Sequence, residues 1–149
     1  MSVKALSVAV LGVAVALAAI TYQQFLAVDR HLWDNSTHDR NAHYLYALRL
    51  ATDAQHLRLF SFLDDVNQAR VWPPLQGLVT AGVLLVGGLD YRLAVLPSLA
   101  GWVGTVYFGY LLAKRALPPG GHLAGLVAAP FIATSPAHRA YATDIMLES

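Results

Sequence analysis

The stretch that decides the fold is Asp29-Arg30-His31-Leu32-Trp33-Asp34-Asn35-Ser36-Thr37-His38-Asp39-Arg40-Asn41-Ala42-His43-Tyr44. It opens a polar segment, residues 29–72, that separates two apolar parts of the chain and closes on Trp72-Pro73-Pro74-Leu75. An ionisable loop lodged between apolar segments points to chemistry at a bilayer surface. The surrounding composition agrees. Of 149 residues, 56% are hydrophobic and 13% charged, against roughly 25% charged in soluble domains. That places the chain in the membrane class. A formal net charge of +1 gives no electrostatic case for nucleic acid as a partner. The absence of cysteine excludes disulfides and thiolate chemistry.

On the N-terminal side, residues 5–27 read as a first span. Lys4 precedes them, and no charge interrupts the run through Ile20. About 20 apolar residues are needed to cross ~30 Å of hydrocarbon. Ala16-Leu17-Ala18 also fits a signal-peptidase site, but apolar character continues past it to Leu26. On the C-terminal side, residues 93–113 form a second span without a charge, closed by Lys114-Arg115. Ala100, Gly101, Gly104, Thr105 and Gly109 put small residues near one face of it. A third apolar run, residues 122–137, follows the turn Pro118-Pro119-Gly120-Gly121, and Pro130 is expected to kink it.

Residues 73–88 are apolar but reach only about 24 Å as a helix. Charge placement bears on whether they cross. Lys4 puts the N-terminus in the cytoplasm and residues 29–72 outside. If 73–88 crossed, Lys114-Arg115 would lie outside. If that segment is juxtamembrane or re-entrant, residues 114–121 form a cytoplasmic turn, and 138–149 form a second outer loop on the same face as Asp39. The positive-inside rule favours the second arrangement. The expected fold is an all-α polytopic membrane protein: about three transmembrane helices, with interfacial helices in a large first outer loop.

Within that loop, Ser36 or Thr37 caps an expected helix over residues 38–60. Ala42, Leu45, Leu48 and Ala51 mark its apolar face, and Arg49, Asp53, His56 and Arg58 are polar. Such a helix suits the membrane surface. Asp64-Asp65 are expected in a second short polar turn before Trp72, an interfacial anchor.

Asp39 is the first candidate for chemistry, although Ser36-Thr37-His38-Asp39 also fits a capping pattern and an acid in a first helical turn suits the helix dipole. Asp34 is a rival acid. Asp144 is the second candidate, with Arg139 and Glu148 nearby in Ser135-Pro136-Ala137-His138-Arg139-Ala140-Tyr141-Ala142-Thr143-Asp144-Ile145-Met146-Leu147-Glu148. If the two outer loops share a face, these acids and an Arg suit group transfer from a phosphate carrier. A carboxylate would accept a hydroxyl proton, and the guanidinium would stabilise the departing phosphate. The histidines lack the i,i+4 spacing of a helical metal site, since His38 and His43 are five apart. Asn35-Ser36-Thr37 is a glycosylation tripeptide of a kind common by chance. No P-loop, GxGxxG or GxSxG occurs.

The order of these features resembles the N-terminal third of the C-type (GT-C) integral membrane glycosyltransferases, and most of all glycosyltransferase family 39, the protein-mannosyltransferase and aminoarabinose-transferase-like group. The likeness is carried by the first-loop Asp39 with His43-Tyr44 downstream, the Pro73-Pro74-Leu75 segment, the Gly88-Leu89-Asp90-Tyr91-Arg92-Leu93 junction, the span ending in basic residues, and Tyr141-Ala142-Thr143-Asp144. It implies inverting transfer of a hexosyl or pentosyl unit from a polyprenyl-phosphate-linked donor to an acceptor, on the non-cytoplasmic face of a bacterial inner or plasma membrane. By the same likeness, Asp39 and Asp144 are catalytic, with Asp34, Arg40, His43, Tyr44, Arg139 and Glu148 assisting.

Arg40 stands where the family usually has Glu. Ala142 stands where related oligosaccharyltransferases carry a metal-binding Asp, so the motif does not support a divalent metal and the cofactor is left open. Membrane lipid and the lipid-linked donor are the implied partners. The chain ends in mid-pattern at Ile145-Met146-Leu147-Glu148-Ser149, and is expected to be an N-terminal piece of a longer enzyme, inactive alone. Two rival readings are a transporter fragment, disfavoured because the spans carry no ionisable group, and a non-catalytic membrane anchoring or assembly protein.

Overall fold

The computed structural model describes residues 3–27, 39–68, 74–117 and 120–143. Among them the chain is all-helical: α1 (Val3–Ala27), α2 (Asp39–Gln55), α3 (Leu59–Gln68), α4 (Pro74–Gly87), α5 (Tyr91–Ala94), α6 (Leu96–Ala116), α7 (Gly121–Thr134) and α8 (Pro136–Ala142). Two stretches, Lys4–Ala27 and Tyr91–Ala116, are long and apolar enough to cross a membrane. The chain divides into two compact units: Met1–Phe25 with Leu99–Thr143, and Leu26–Ser98.

The first unit is built on close approach between α6 and α7. Gly121, Gly125, Ala129 and Ala133 recur every fourth residue and form the buried stripe of α7. Leu99, Trp102, Val106 and Tyr110 are the buried residues of α6. A Cβ on Gly121 would collide with the Lys114 carbonyl, and one on Gly125 would stand 2.6 Å from the Tyr110 ring. A Cβ on Gly109 would meet Ile132. The pairs 114–121, 110–125 and 109–132 run in opposite order, so α6 and α7 are antiparallel. The Tyr110 hydroxyl lies 3.3 Å from His122 Nδ1 across the same hairpin.

At the far end of α7, the Arg139 guanidinium of α8 donates to Gln24 Oε1 of α1 at 2.8 Å. About 30 Å of α1 separates Gln24 from Lys4, and about 20 Å of α7 separates Thr134 from Gly121. One end of this unit therefore carries Gln24, α8 and the start of α6. The other carries Lys4, Lys114 and Arg115.

The second unit is a packing of α2 on α4. The buried face of α2 is His43, Ala47, Leu50, Ala51 and Asp53, and that of α4 is Gly77, Thr80, Ala81 and Leu84. Both follow the three-to-four-residue helical repeat. Leu50 and Leu84 are fully buried, each contributing about 1.5–3 kcal/mol. Gly77 lets the Tyr46 ring lie against the backbone of α4, because a Cβ there would overlap it. Gly88 (φ 101) ends α4 in the left-handed region, and its N–H bonds Leu84 O at 2.9 Å. Asp90 then caps α5, accepting from Arg92 N at 2.9 Å.

Several sequence expectations are corrected. The helix expected over 38–60 is two helices. Leu57 sits at φ 55, with Leu57 N bonding Ala54 O at 3.1 Å and Arg58 N bonding Asp53 O at 2.8 Å. This is a Schellman stop with Leu where Gly is usual, at a conformational cost of about 1–2 kcal/mol. Asp64 and Asp65 are therefore helical, inside α3, and not in a turn. The apolar face assigned to α2 is rotated: Leu45 is exposed, whereas Asp53 is buried.

The 93–113 span falls within the apolar stretch Tyr91–Ala116, which is two helices, α5 and α6, because Asp90 caps a separate turn first. The 122–137 run ends at Thr134. Ser135 precedes Pro136 and takes the extended ψ of 122° that a pre-proline residue favours. Residues assigned to a second outer loop are partly helical, as α8. Pro130 lies inside α7. Of the glycines singled out on α6, Gly109 is the one at which a Cβ would meet another helix. Gly101 has open space around it, and with Ala100, Gly104 and Thr105 it borders a groove of about 970 Å³.

Gly125→Val is expected to destabilise the first unit by about 1–3 kcal/mol or more through overpacking. Gly101→Ala, with room for its methyl, should be neutral or stabilising by up to about 1 kcal/mol. Thermal unfolding of the detergent-solubilised chain, followed by circular dichroism, compares the two.

Candidate functional site

Asp39 and Arg40 are the first two residues of α2. Asp34, Asp144 and Glu148, with the Ser36-Thr37-His38 capping pattern, lie outside the described residues. The structure therefore gives no pairing of Asp39 with Asp144. It does place the remaining candidates.

His43 is only 6% exposed and belongs to the packed face of α2. Tyr44 is half-buried, and its hydroxyl donates to Leu89 O at 3.4 Å, tying the first turns of α2 to the junction between α4 and α5. Burial, and then the negative charge of Asp90, push the Tyr44 phenol above its ordinary value. Tyr44 is thus a protonated hydrogen-bond donor at neutral pH and not a base. Arg139, in the other unit, is exposed and held by Gln24. One bond engages one of its five N–H groups, leaving donors for an anion.

Two residues in this region were given no role by sequence reasoning. Asp90 is the centre of the α4–α5 junction. It caps α5, lies 3.9 Å from Arg92 Nε and acts on Tyr44. The signal for it was Gly87-Gly88-Leu89-Asp90, a helix stop followed by a capping acid. The Asp90–Arg92 pair is about half exposed, a setting in which ion pairs contribute little. Arg92 also stands 5.9 Å over the Tyr91 ring. Tyr46 is the second residue: its hydroxyl is buried without a hydrogen-bond partner among the described residues, and burial followed by the charge of Asp65 raises its phenol too.

Among the described residues, no three His, Asp or Glu side chains cluster closely enough to hold a metal ion. No family model, curated protein or solved structure matches the chain.

The raised phenols make an alkaline prediction. A folded-state value above the ordinary one, about 10, means the folded chain holds its phenolic protons more tightly than the unfolded chain. The associated stability is complete below that value and is lost as pH rises through the higher folded value. The double variant Tyr44→Phe/Tyr46→Phe should lose less stability than the parent as pH is raised past about 10. Melting temperatures of both proteins across that range test this.

Proposed function

We propose that the chain is a polytopic membrane protein of the GT-C glycosyltransferase type, transferring a sugar from a polyprenyl-phosphate carrier on the non-cytoplasmic face. The observation that carries this reading is the Gln24–Arg139 hydrogen bond. It brings the end of α1, which leads into the loop bearing Asp39, to α8, which leads through Thr143 to Asp144 in sequence. The two stretches of sequence that lead on to Asp39 and to Asp144 thus both leave from one end of this unit.

The opposite end supports the orientation. Lys4, Lys114 and Arg115 gather there, as the positive-inside rule asks of a cytoplasmic face. α1 and α6 then have their Gln24-side ends on one face. α4, at 14 residues and about 21 Å, falls short of the ~30 Å hydrocarbon core and suits a juxtamembrane position.

In this reading the acceptor hydroxyl attacks the anomeric carbon from the side opposite the phosphate. Its proton passes to the Asp39 carboxylate, and the anomeric C–O bond to phosphate breaks with inversion. Arg139, with N–H groups beyond the one given to Gln24, is the cation that stabilises the departing polyprenyl phosphate. Asp144 is the second essential carboxylate, with Asp34, Arg40 and Glu148 in reserve. His43 and Tyr44 position α2: one is packed, and the other is bonded to Leu89.

In membranes carrying the full-length protein, Asp39→Asn should lower transfer from radiolabelled polyprenyl-phosphate hexoses or pentoses by about 10²–10⁴-fold, with insertion unchanged. Undiminished transfer removes Asp39 from the mechanism. A parent protein that transfers none of these sugars but still retains partner proteins favours the anchoring role instead. For orientation, a Gly120→Cys variant should resist a membrane-impermeant thiol reagent in intact cells and react once the membrane is opened.

A further inference from the structure

The last turn of α2 buries an acid that the proposed reaction does not use. Asp53 is only 8% exposed, and its side chain has no hydrogen bond or ion pair among the described residues. A carboxylate withdrawn from water loses hydration that only a partner can replace. Its position compounds the cost. The C-terminal end of a helix carries partial negative charge and repels an anion, and α2 has no basic residue in its last turn to offset this. Arg49, one turn back where a pair could form, is exposed and makes none among the described residues. α3 follows with Asp64 and Asp65 and no cation.

Asp53 lines a notch of about 420 Å³ together with Ala54, Leu57, Leu59 and Phe62, and is the one polar side chain among them. All of these residues lie within the second unit. Leu57 forms one wall, and it does so at φ 55, in a left-handed backbone that a leucine rarely adopts. Glycine there would relieve the strain and remove the wall. Backbone strain retained beside a concave site with an unpaired buried charge is the pattern of a ligand clamp.

We propose that this notch binds a small organic cation, an ammonium group on a short apolar stem, with the ammonium at the Asp53 carboxylate and the stem against Ala54, Leu57, Leu59 and Phe62. Its volume falls in the range of small-molecule sites, which combine apolar walls with a few placed polar groups. The walls select among cations. Hard metal ions collect several oxygen ligands, whereas this notch offers a single carboxylate and gives a bare ion nothing to gain from leucine or phenylalanine. An ammonium on an apolar stem uses both parts. Its charge supplies the partner that Asp53 lacks, and its stem covers apolar surface now open to water, Leu57 at 89%. Phe62 adds an aromatic surface of the kind that attracts organic cations. The site stands whether or not the chain transfers a sugar.

The probe is radiolabelled phenethylammonium. Equilibrium dialysis of the whole chain in detergent micelles, with chain-free micelles as the blank, measures its uptake. Phenethyl alcohol, which has the same stem without the charge, is the competitor. The expected result is saturable, one-to-one uptake that the alcohol at equal concentration does not displace, weakened roughly 10–100-fold in Asp53→Asn. Leu57→Gly should weaken uptake several-fold while the melting temperature holds or rises, because the strain leaves with the side chain. That second variant decides the matter if circular dichroism shows Asp53→Asn to be unfolded. Uptake that is absent or does not saturate, that the alcohol displaces, or that a folded Asp53→Asn leaves intact overturns the site. So does full uptake by Leu57→Gly.

Discussion

The contact of Gly121 with the Lys114 carbonyl, and of Gly125 with the Tyr110 ring, is the constraint on which the first unit rests. It lets two helices approach at backbone distance, and it fixes the direction in which the chain turns back. At that distance many atoms of the two helices come into van der Waals contact, each pair weak and their sum large. From that hairpin follow the return of α7 toward the end of α1, the Gln24–Arg139 bond, and the gathering of Lys4, Lys114 and Arg115 at the other end.

The second unit solves a different problem. α2 carries Asp, Arg, His and Tyr in quantity, yet it presents a buried face of His43, Ala47, Leu50 and Ala51 to α4. Small residues on both helices again permit the approach, with Leu50 and Leu84 filling the seam. The polar load moves to the edges. Tyr44 reaches Leu89, and Asp90 holds the start of α5. The candidate chemistry sits at the first turn of α2, on a helix that packing has already fixed.

Much of the helical layout is legible in the residues because it follows from runs of apolar side chains and from punctuation. Val3–Ala27 and Pro74–Gly87 fall close to where apolar character starts and stops. The break at Leu57 is not legible, since nothing in His56-Leu57-Arg58 carries the Gly or Asn that usually marks a left-handed stop. The inward face of α2 was misread for a related reason. Leu45 looks like core and Asp53 like surface, and only the position of α4 reverses them. Ser135-Pro136 did contain its signal, but the apolar run ahead of it suggested a longer helix. Of the candidate site, His43, Tyr44 and Arg139 were legible as residue types, but not as packed, bonded and end-joining groups. Those roles depend on Leu89, Gln24 and the α4 face, which are distant in sequence.

The seating of Tyr46 on Gly77 has a consequence for how this protein can diverge. The two positions share one volume: whatever enlarges residue 77 must shrink or displace residue 46. Sequence drift in this seam is therefore correlated and not free, and lineages that keep glycine at one site can keep an aromatic ring at the other. Such a coupled pair would record the ancestry of this helix packing long after the polar loop around it had changed beyond recognition.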